Sequence, residues 1–188
     1  MDAPGLTDTD LIRLVVLRDE GALATLYDRH SRLAYSLAMR ILRSPSDAEE
    51  ILQETFVRIW SRAHTYEPAL GSPAAWLSRI ARNCAIDRLR ARRTRQDVDG
   101  APPESDVPSV EPSTAVTPER LFEDQRTSVS VRGALGTLPP PQRMLIEAAF
   151  FEGYTHQELS ERYGLPLGTV KARIRTGLLA LRSQLQAV

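Results

Sequence analysis

Apolar residues recur at three- and four-residue steps on both sides of a central segment that lacks this spacing. Such spacing predicts amphipathic helices. In the first half of the chain it predicts a short helix from Asp8 to Leu17 and three longer ones. The apolar positions of the three longer helices are Leu23, Leu26, Tyr27, His30, Leu33, Ala34, Leu37 and Ile41; Ala48, Ile51, Leu52, Thr55, Phe56 and Ile59; and Trp76, Leu77, Ile80 and Cys84.

Local signals predict where the helices start. Ser46 and Glu49 have capping-box spacing after a proline, and Ser72–Pro73 supplies an N-cap followed by proline at the first helical position. With no strand pattern present, we predict an all-α fold. In the second half the predicted helices are Thr117 to about Leu135, Pro141–Phe151, Thr155–Tyr163 and Leu167–Gln184.

The central segment, Gln96 to Thr117, has four prolines and no aromatic residue. Such a segment buries too little apolar surface to offset its ordering entropy. We predict a flexible acidic linker over 96–117 between two small helical domains, 1–95 and 118–188.

The net charge is zero, with 24 basic and 24 acidic residues, but the charges are segregated. Residues 1–95 carry +3, residues 96–120 carry −5 and residues 121–188 carry +2. One cysteine, no signal peptide and no stretch of about 18 apolar residues are found. We therefore expect a cytoplasmic protein without disulfide, metal, cofactor or membrane insertion of its own. Cys84 is interpreted as a buried small hydrophobe.

Residues 155–175 have the spacing of a helix-turn-helix. Thr155 and Glu158 form a capping box, and small Ser160 precedes Gly164 by four residues and Val170 by ten. A plain helical hairpin is the alternative interpretation. On the second helix, Val170, Ile174, Leu178 and Leu181 share the predicted core face. The opposite face then carries Gly168, Ala172 and Arg175, flanked by Lys171 and Arg173.

This opposite face suits the major groove of DNA, where one bidentate contact contributes about 1–3 kcal/mol of discrimination. Two or three contacts do not give tight binding alone, so a larger partner is expected.

The helix after Pro73 predicts a second basic surface. Opposite its apolar face lie Arg79, Arg82, Ile86, Arg90 and Arg93, with Asn83 at the edge and Asp87 as the one acid between 74 and 95. This arginine stripe either binds a nucleic-acid backbone or is an ordinary solvated face. The preceding helix is acidic, and its polar surface is either solvated or binds a protein. That polar surface consists of Asp47, Glu49, Glu50, Gln53, Glu54 and Arg58.

Residues 47–60 and 73–93 resemble region 2 of the extracytoplasmic function (ECF) sigma factors, group 4 of the sigma-70 family, and residues 135–182 resemble region 4. The resemblance implies a sigma factor that binds core RNA polymerase and directs promoter-specific initiation. It implies that Glu50, Gln53, Glu54 and Arg58 dock on the β′ clamp helices, which favours the protein-binding interpretation. It further implies contacts between the chain and the β flap, and an anti-sigma factor as controlling partner.

The resemblance also implies roles in promoter DNA recognition. The loop from Tyr66 to Pro73 and the next helix would trap a flipped base of the −10 element, and the last helix would read the −35 element. The linker would run near the RNA exit path. The −10 residues are Arg79, Arg82, Asn83, Asp87, Arg90 and Arg93, and the −35 residues are Thr169, Lys171, Ala172, Arg173 and Arg175.

Two positions depart from the family. Many relatives carry Ser at the position of Ala172 and Arg at that of Thr176, so Arg175 is expected to take over part of the −35 contact. Neither the middle domain of larger family members nor a C-terminal extension is expected. The competing hypotheses are a stand-alone dimeric helix-turn-helix regulator, an adaptor that only occupies polymerase, and an enzyme, for which no catalytic motif is visible.

Overall fold

A computed structural model of the chain describes residues 5–99 and 133–186. The chain divides into two compact units, Met1–Val107 and Pro108–Val188. All regular elements within the described residues are helical, which confirms the all-α prediction. Most of the predicted linker, and the predicted helix from Thr117 as far as residue 132, lie outside the described residues.

The first unit contains four helices among its described residues: α1 (Asp8–Val16), α2 (Glu20–Leu42), α3 (Pro45–Arg62) and α4 (Pro73–Asp99). Two short 3-10 turns, Ala63–Thr65 and Pro68–Leu70, connect α3 to α4. Because α4 continues to Asp99, the first four residues of the predicted linker are helical.

The N-cap of α3 differs from the prediction. The Ser44 hydroxyl accepts a hydrogen bond from the Asp47 amide at 3.4 Å, and Ser46 already lies inside the helix, so the predicted Ser46–Glu49 capping box is wrong. The physical reason is Pro45, which restricts the residue before it to extended backbone, the conformation of an N-cap. The prediction for α4 is confirmed, since the Ser72 hydroxyl accepts from the Ala75 amide at 3.3 Å.

The core of the first unit depends on α1, whose Leu11, Ile12 and Val15 are buried against α2, α3 and α4. Each such side chain stabilises the fold by about 1.5–3 kcal/mol. Two predicted core positions of α2, Tyr27 and Leu33, are 41% and 39% exposed because they lie at the edges of its apolar face.

A cluster of charged and polar groups also attaches α1 to α2. The Asp8 carboxylate lies 2.8 Å from Arg29 Nη1 and 2.6 Å from His30 Nε2. Burial raises the pKa of Asp8, but the hydrogen bonds from Arg29 and His30 outweigh burial and hold that pKa below its usual range. His30, predicted as a core position, therefore lies in this cluster.

The described part of the second unit contains a helical stretch at 133–137, followed by α5 (Pro140–Phe151), α6 (His156–Tyr163) and α7 (Leu167–Gln186). Its core includes Leu145, Leu159, Val170 and Ile174. Leu178, predicted to face this core, is 52% exposed.

Gly177 takes the place in the core seam that was predicted for Leu178. A Cβ atom on Gly177 would lie 2.6 Å from Ile146 Cδ1 and 3.3 Å from Gln142 Cβ. Side chains of α5 therefore pack directly against the backbone of α7 at this glycine, and the next residue is turned out to solvent.

Candidate functional site

The turn between α6 and α7 has the geometry expected of a helix-turn-helix. Thr155 and Glu158 form the predicted capping box, and Gly164 ends α6 with φ of 60°, a left-handed conformation that favours glycine. The Ser160 hydroxyl donates to the Leu165 carbonyl at 2.6 Å, which fixes the turn from inside. Both helices are held by core contacts, because Leu159 and Val170 are fully buried.

The outer face of α7 exposes part of the predicted −35 set. Lys171, Ala172 and Arg175 are exposed, whereas Thr169 and Arg173 are half-buried. Gly168 has open space beside it, since a Cβ atom there would meet nothing within 4 Å. The result is a narrow helix face with cationic side chains around it.

The exposed side of α4 is rotated relative to the predicted arginine stripe. Arg79, Asn83, Asp87 and Arg90 are exposed, as predicted for a solvent-facing surface. Ile86, placed in the middle of the stripe, is only 5% exposed. The helical wheel failed here because α4 contacts other helices on more than one side, which buries Ile86.

Two further members of the predicted −10 set, Arg82 and Arg93, are half-buried. Burial lowers the pKa of Arg82, and the nearby positive charge of Arg90 lowers it further. On the inner side, Cys84 is 1% exposed and burial raises the pKa of its thiol. This burial agrees with the interpretation of Cys84 as a small hydrophobe.

Ion pairs that the sequence did not predict join the acidic helix α3 to α4. Asp47 accepts from Arg88 and from Arg92, both at 2.9 Å, and Arg88 also donates to Glu50. The four side chains therefore form one network, with Asp47 as its least exposed member at 18%. The opposite charges of α3 and α4 could have indicated that the two helices pair. The sequence does not show which acidic residue lies beside which arginine.

A second group of ion pairs connects residues that were predicted to serve different partners. Arg58 donates to Glu54 at 2.6 Å and lies 3.6 Å from Asp87. Arg58 and Glu54 belong to the predicted polymerase set and Asp87 to the predicted −10 set. The two predicted surfaces therefore meet along the α3–α4 contact.

The loop before α4 forms a cavity of about 180 Å³ together with the first turn of that helix. The ring of Tyr66 lies 5.6 Å from that of Trp76, and the Tyr66 hydroxyl donates to the Gly71 carbonyl at 3.2 Å. These contacts hold the loop against the helix. The cavity is lined by Thr65, Tyr66, Glu67, Leu70, Gly71, Ala75, Trp76 and Arg79.

An open apolar groove of about 570 Å³ lies between α2 and α3. We call it the α2–α3 groove. Of its residues only Gln53 was in a predicted site, and Val57, 67% exposed, was not. An apolar side chain this exposed on a polar helix face was the signal that sequence reasoning missed. The groove is lined by Glu20, Leu23, Gln53, Phe56, Val57 and Trp60.

Two other kinds of site are absent from the described ranges. Within residues 5–99 and 133–186, no group of three or more His, Cys, Asp or Glu side chains could hold a metal ion. The helices in those ranges are too short or too polar to cross a bilayer.

Comparison with known proteins identifies both halves of the chain. Residues 26–95 match the family model Sigma-70 region 2, and residues 134–183 match Sigma-70, region 4. Among solved structures, Rhodobacter sphaeroides SigE in complex with the anti-sigma ChrR is 34% identical, with a TM-score of 0.44 and coverage of 94% of this chain and 97% of that chain.

Curated relatives cover nearly the whole chain. The ECF RNA polymerase sigma factor SigK of Mycolicibacterium vanbaalenii is 35% identical over 175 residues, which are 92% of this chain and 86% of that protein. The ECF RNA polymerase sigma factor RpoE of Cereibacter sphaeroides is 37% identical over 171 residues, 89% and 88% of the two chains. By these family models and relatives, the chain belongs to the ECF RNA polymerase sigma factors and directs promoter-specific initiation of transcription.

Proposed function

We propose that α7 reads the −35 element from the major groove through Thr169, Lys171, Ala172, Arg173 and Arg175. The support is the division of α7 into a buried side and an outer side on which the cations lie. Half-buried Thr169 and Arg173 flank the groove-facing side and suit phosphate contacts, whereas exposed Arg175 suits a bidentate contact to guanine.

In the first unit, we infer that α4 and its preceding loop recognise the −10 element. The cavity beside Tyr66 and Trp76 has the volume to hold one unstacked base, and flipping a base costs a few kcal/mol that such a cavity offsets. Arginines on the adjoining face of α4 would bind the backbone on either side of that base. The proposed −10 residues are Arg79, Arg82, Asn83, Asp87, Arg90 and Arg93.

The docking surface for core polymerase is assigned to α3 and the α2–α3 groove. Glu50, Gln53, Glu54 and Arg58 remain the proposed contacts to the β′ clamp helices. Glu54 and Arg58 pair with each other, and Glu50 pairs with Arg88. Polymerase would therefore have to replace these ion pairs to contact the charged groups. Val57 and Gln53, which line the α2–α3 groove, are exposed and uncharged. Because no ion pair has to be broken there, we place the centre of the polymerase-docking surface at this groove.

Residues 1–95 and 118–188 form the two DNA-reading domains, joined by the acidic segment 96–117. Region 4 additionally contacts the β flap, and an anti-sigma factor controls access to polymerase. The protein acts in the cytoplasm by binding, and its own residues perform no catalysis.

One observation carries this proposal: each unit presents a small cationic helix face that is too limited for tight binding on its own. The test compares promoter binding and run-off transcription by the free chain and by its complex with core polymerase. We expect weak promoter binding by the free chain, and tight binding with transcript synthesis from the complex.

Two results would contradict the proposal. Tight, sequence-specific binding by the free chain at physiological salt would favour the stand-alone regulator. Binding to polymerase without a transcript from any promoter would favour an adaptor. In the same assays an Arg175→Ala variant should lose promoter binding by the complex, and Arg182→Ala, altered two turns further along the same helix, serves as its control for loss of one positive charge.

A further inference from the structure

Arg18, in the turn between α1 and α2, has a backbone conformation that is unusual for its residue type. Its φ is 68°, and among the described residues Arg43 is the other non-glycine residue with positive φ. The left-handed region places Cβ close to the following carbonyl, so glycine is the residue expected there. An arginine at this position carries a backbone cost that glycine would avoid.

The Arg18 side chain contacts one residue of α3 in two ways. Its Nη1 donates to the Trp60 carbonyl at 3.1 Å, and its guanidinium carbon lies 5.2 Å from the centroid of the Trp60 ring. Both the backbone and the indole of Trp60 are therefore held by a side chain from another element. Since Arg18 is exposed, burial does not enforce this arrangement.

Trp60 forms part of the α2–α3 groove, one turn along α3 from Val57. Aromatic side chains that are fixed before association lose less conformational entropy when a partner binds, and such residues dominate many interfaces. Trp60 is half-buried and also packs against the core of the first unit, so the Arg18 contact adds to the constraints that fix its indole.

We propose that Arg18 is a positioning residue for polymerase docking, which keeps Trp60 in the orientation that leaves the α2–α3 groove open. This inference rests on the proposed function, because it takes the groove as the surface that binds core polymerase. It assigns a role to the α1–α2 turn, which lies before the part of the chain that matches the region 2 family model.

The test measures the affinity of the full chain for core polymerase in Arg18→Ala and Arg18→Gly variants. We expect both to bind about fivefold more weakly, because the cation–π contact and the hydrogen bond that favour the docking orientation of Trp60 are lost before polymerase binds. Arg18→Gly relieves the strained backbone and Arg18→Ala does not, so Arg18→Gly should be the more stable of the two variants while both bind equally weakly. A purely structural role would make affinity follow stability.

Arg43 provides a matched control, since it is also an exposed arginine with positive φ, at the C-cap of α2. Arg43→Ala and Arg43→Gly should leave polymerase affinity unchanged. An equal loss of polymerase affinity in the Arg43 variants would show that the positive charge of an exposed arginine, and not the contact with Trp60, sets the affinity. That result would overturn the inference.

A spectroscopic readout separates positioning from direct contact. In a Trp76→Phe background the fluorescence reports on Trp60 alone, and Arg18→Ala should increase its quenching by acrylamide. Weaker polymerase binding with unchanged Trp60 quenching would mean that Arg18 touches polymerase itself. Unchanged polymerase binding in both Arg18 variants would also overturn the proposal.

Val57→Glu separates failure of this inference from failure of the proposed function. It places a charge in the groove without touching Arg18, and we expect it to abolish docking. If Val57→Glu bound like wild type, the groove would not be the docking surface and both proposals would fall. If it lost binding while the Arg18 variants kept theirs, only the positioning role would be wrong.

Discussion

Asp47 of α3 pairs with two arginines in the distal half of α4, so Asp47→Asn tests whether these ion pairs stabilise the first unit. The carboxylate is 18% exposed, and its partners Arg88 and Arg92 are 33% and 31% exposed. An exposed ion pair stabilises a fold by about 0.2–1 kcal/mol, and a hydrogen bond to a charged group by about 1.5–3 kcal/mol. Because the two arginines are about one-third exposed, we take about 1 kcal/mol of stability for the pair that each forms with Asp47. We expect Asp47→Asn to lower the free energy of unfolding by about 2 kcal/mol.

The assay is thermal unfolding followed by tryptophan fluorescence. Both tryptophans of the chain, Trp60 and Trp76, lie in the first unit, so the signal reports that unit alone. For a domain of this size the predicted loss corresponds to a Tm lower by roughly 10 °C. The difference should decrease at high salt, where charges are screened.

Glu49→Gln is the matched control, because Glu49 is an exposed carboxylate on α3, two residues after Asp47. It removes one negative charge near the helix N-terminus without touching the network. If the two variants had the same Tm, the interaction with the helix dipole would explain the whole effect. The ion pairs with α4 would then contribute nothing, and the reasoning would be refuted.

Three further predictions concern other parts of the chain. Arg175→Ala should reduce transcription in a manner that depends on the −35 sequence, by about 1–3 kcal/mol at the contacted base pair; a uniform loss across −35 variants would make Arg175 a phosphate contact. Gly177→Ala should destabilise the second unit by about 1 kcal/mol in calorimetry, because overpacking against Ile146 outweighs the gain in helix propensity; a rise in stability would contradict this. Because its pKa is lowered in the folded state, Asp8 stabilises the first unit above its unfolded pKa, and this contribution is lost as pH falls through the folded pKa. Asp8→Asn should therefore show a smaller decrease in Tm between about pH 5 and pH 2 than wild type.

Much of the local structure could be predicted because its causes are local. The capping box at Thr155, the left-handed Gly164 and the buried Val170 lie within one short segment, and their spacing alone specifies two helices and a turn. The prolines at positions 45 and 73 likewise mark the starts of α3 and α4. Of these two starts, the N-cap of α3 was wrong by two residues.

The faces of the helices were predicted less well, because a helical wheel assumes one buried side. α4 contacts both α2 and α3, so Ile86 is buried where the wheel placed it in solvent, and Arg88 forms ion pairs that the wheel did not show. On α7 the wheel placed Leu178 in the core, but the close approach of α5 at Gly177 turned it outward. Each error arose where a second helix packs at an angle the sequence does not specify.

The sequence by itself determined the helices, the helix-turn-helix and the kinds of side chain available to bind DNA and protein. Hydrophobic period and capping act over a few residues, so they can be read directly from the chain. Only the tertiary structure decided which of those side chains are presented and which are paired within the fold. The α2–α3 groove, and the contact of Arg18 with Trp60 across 42 residues, exist because separate helices pack together. Packing of that kind depends on the shape of every buried side chain at once, which no local pattern encodes.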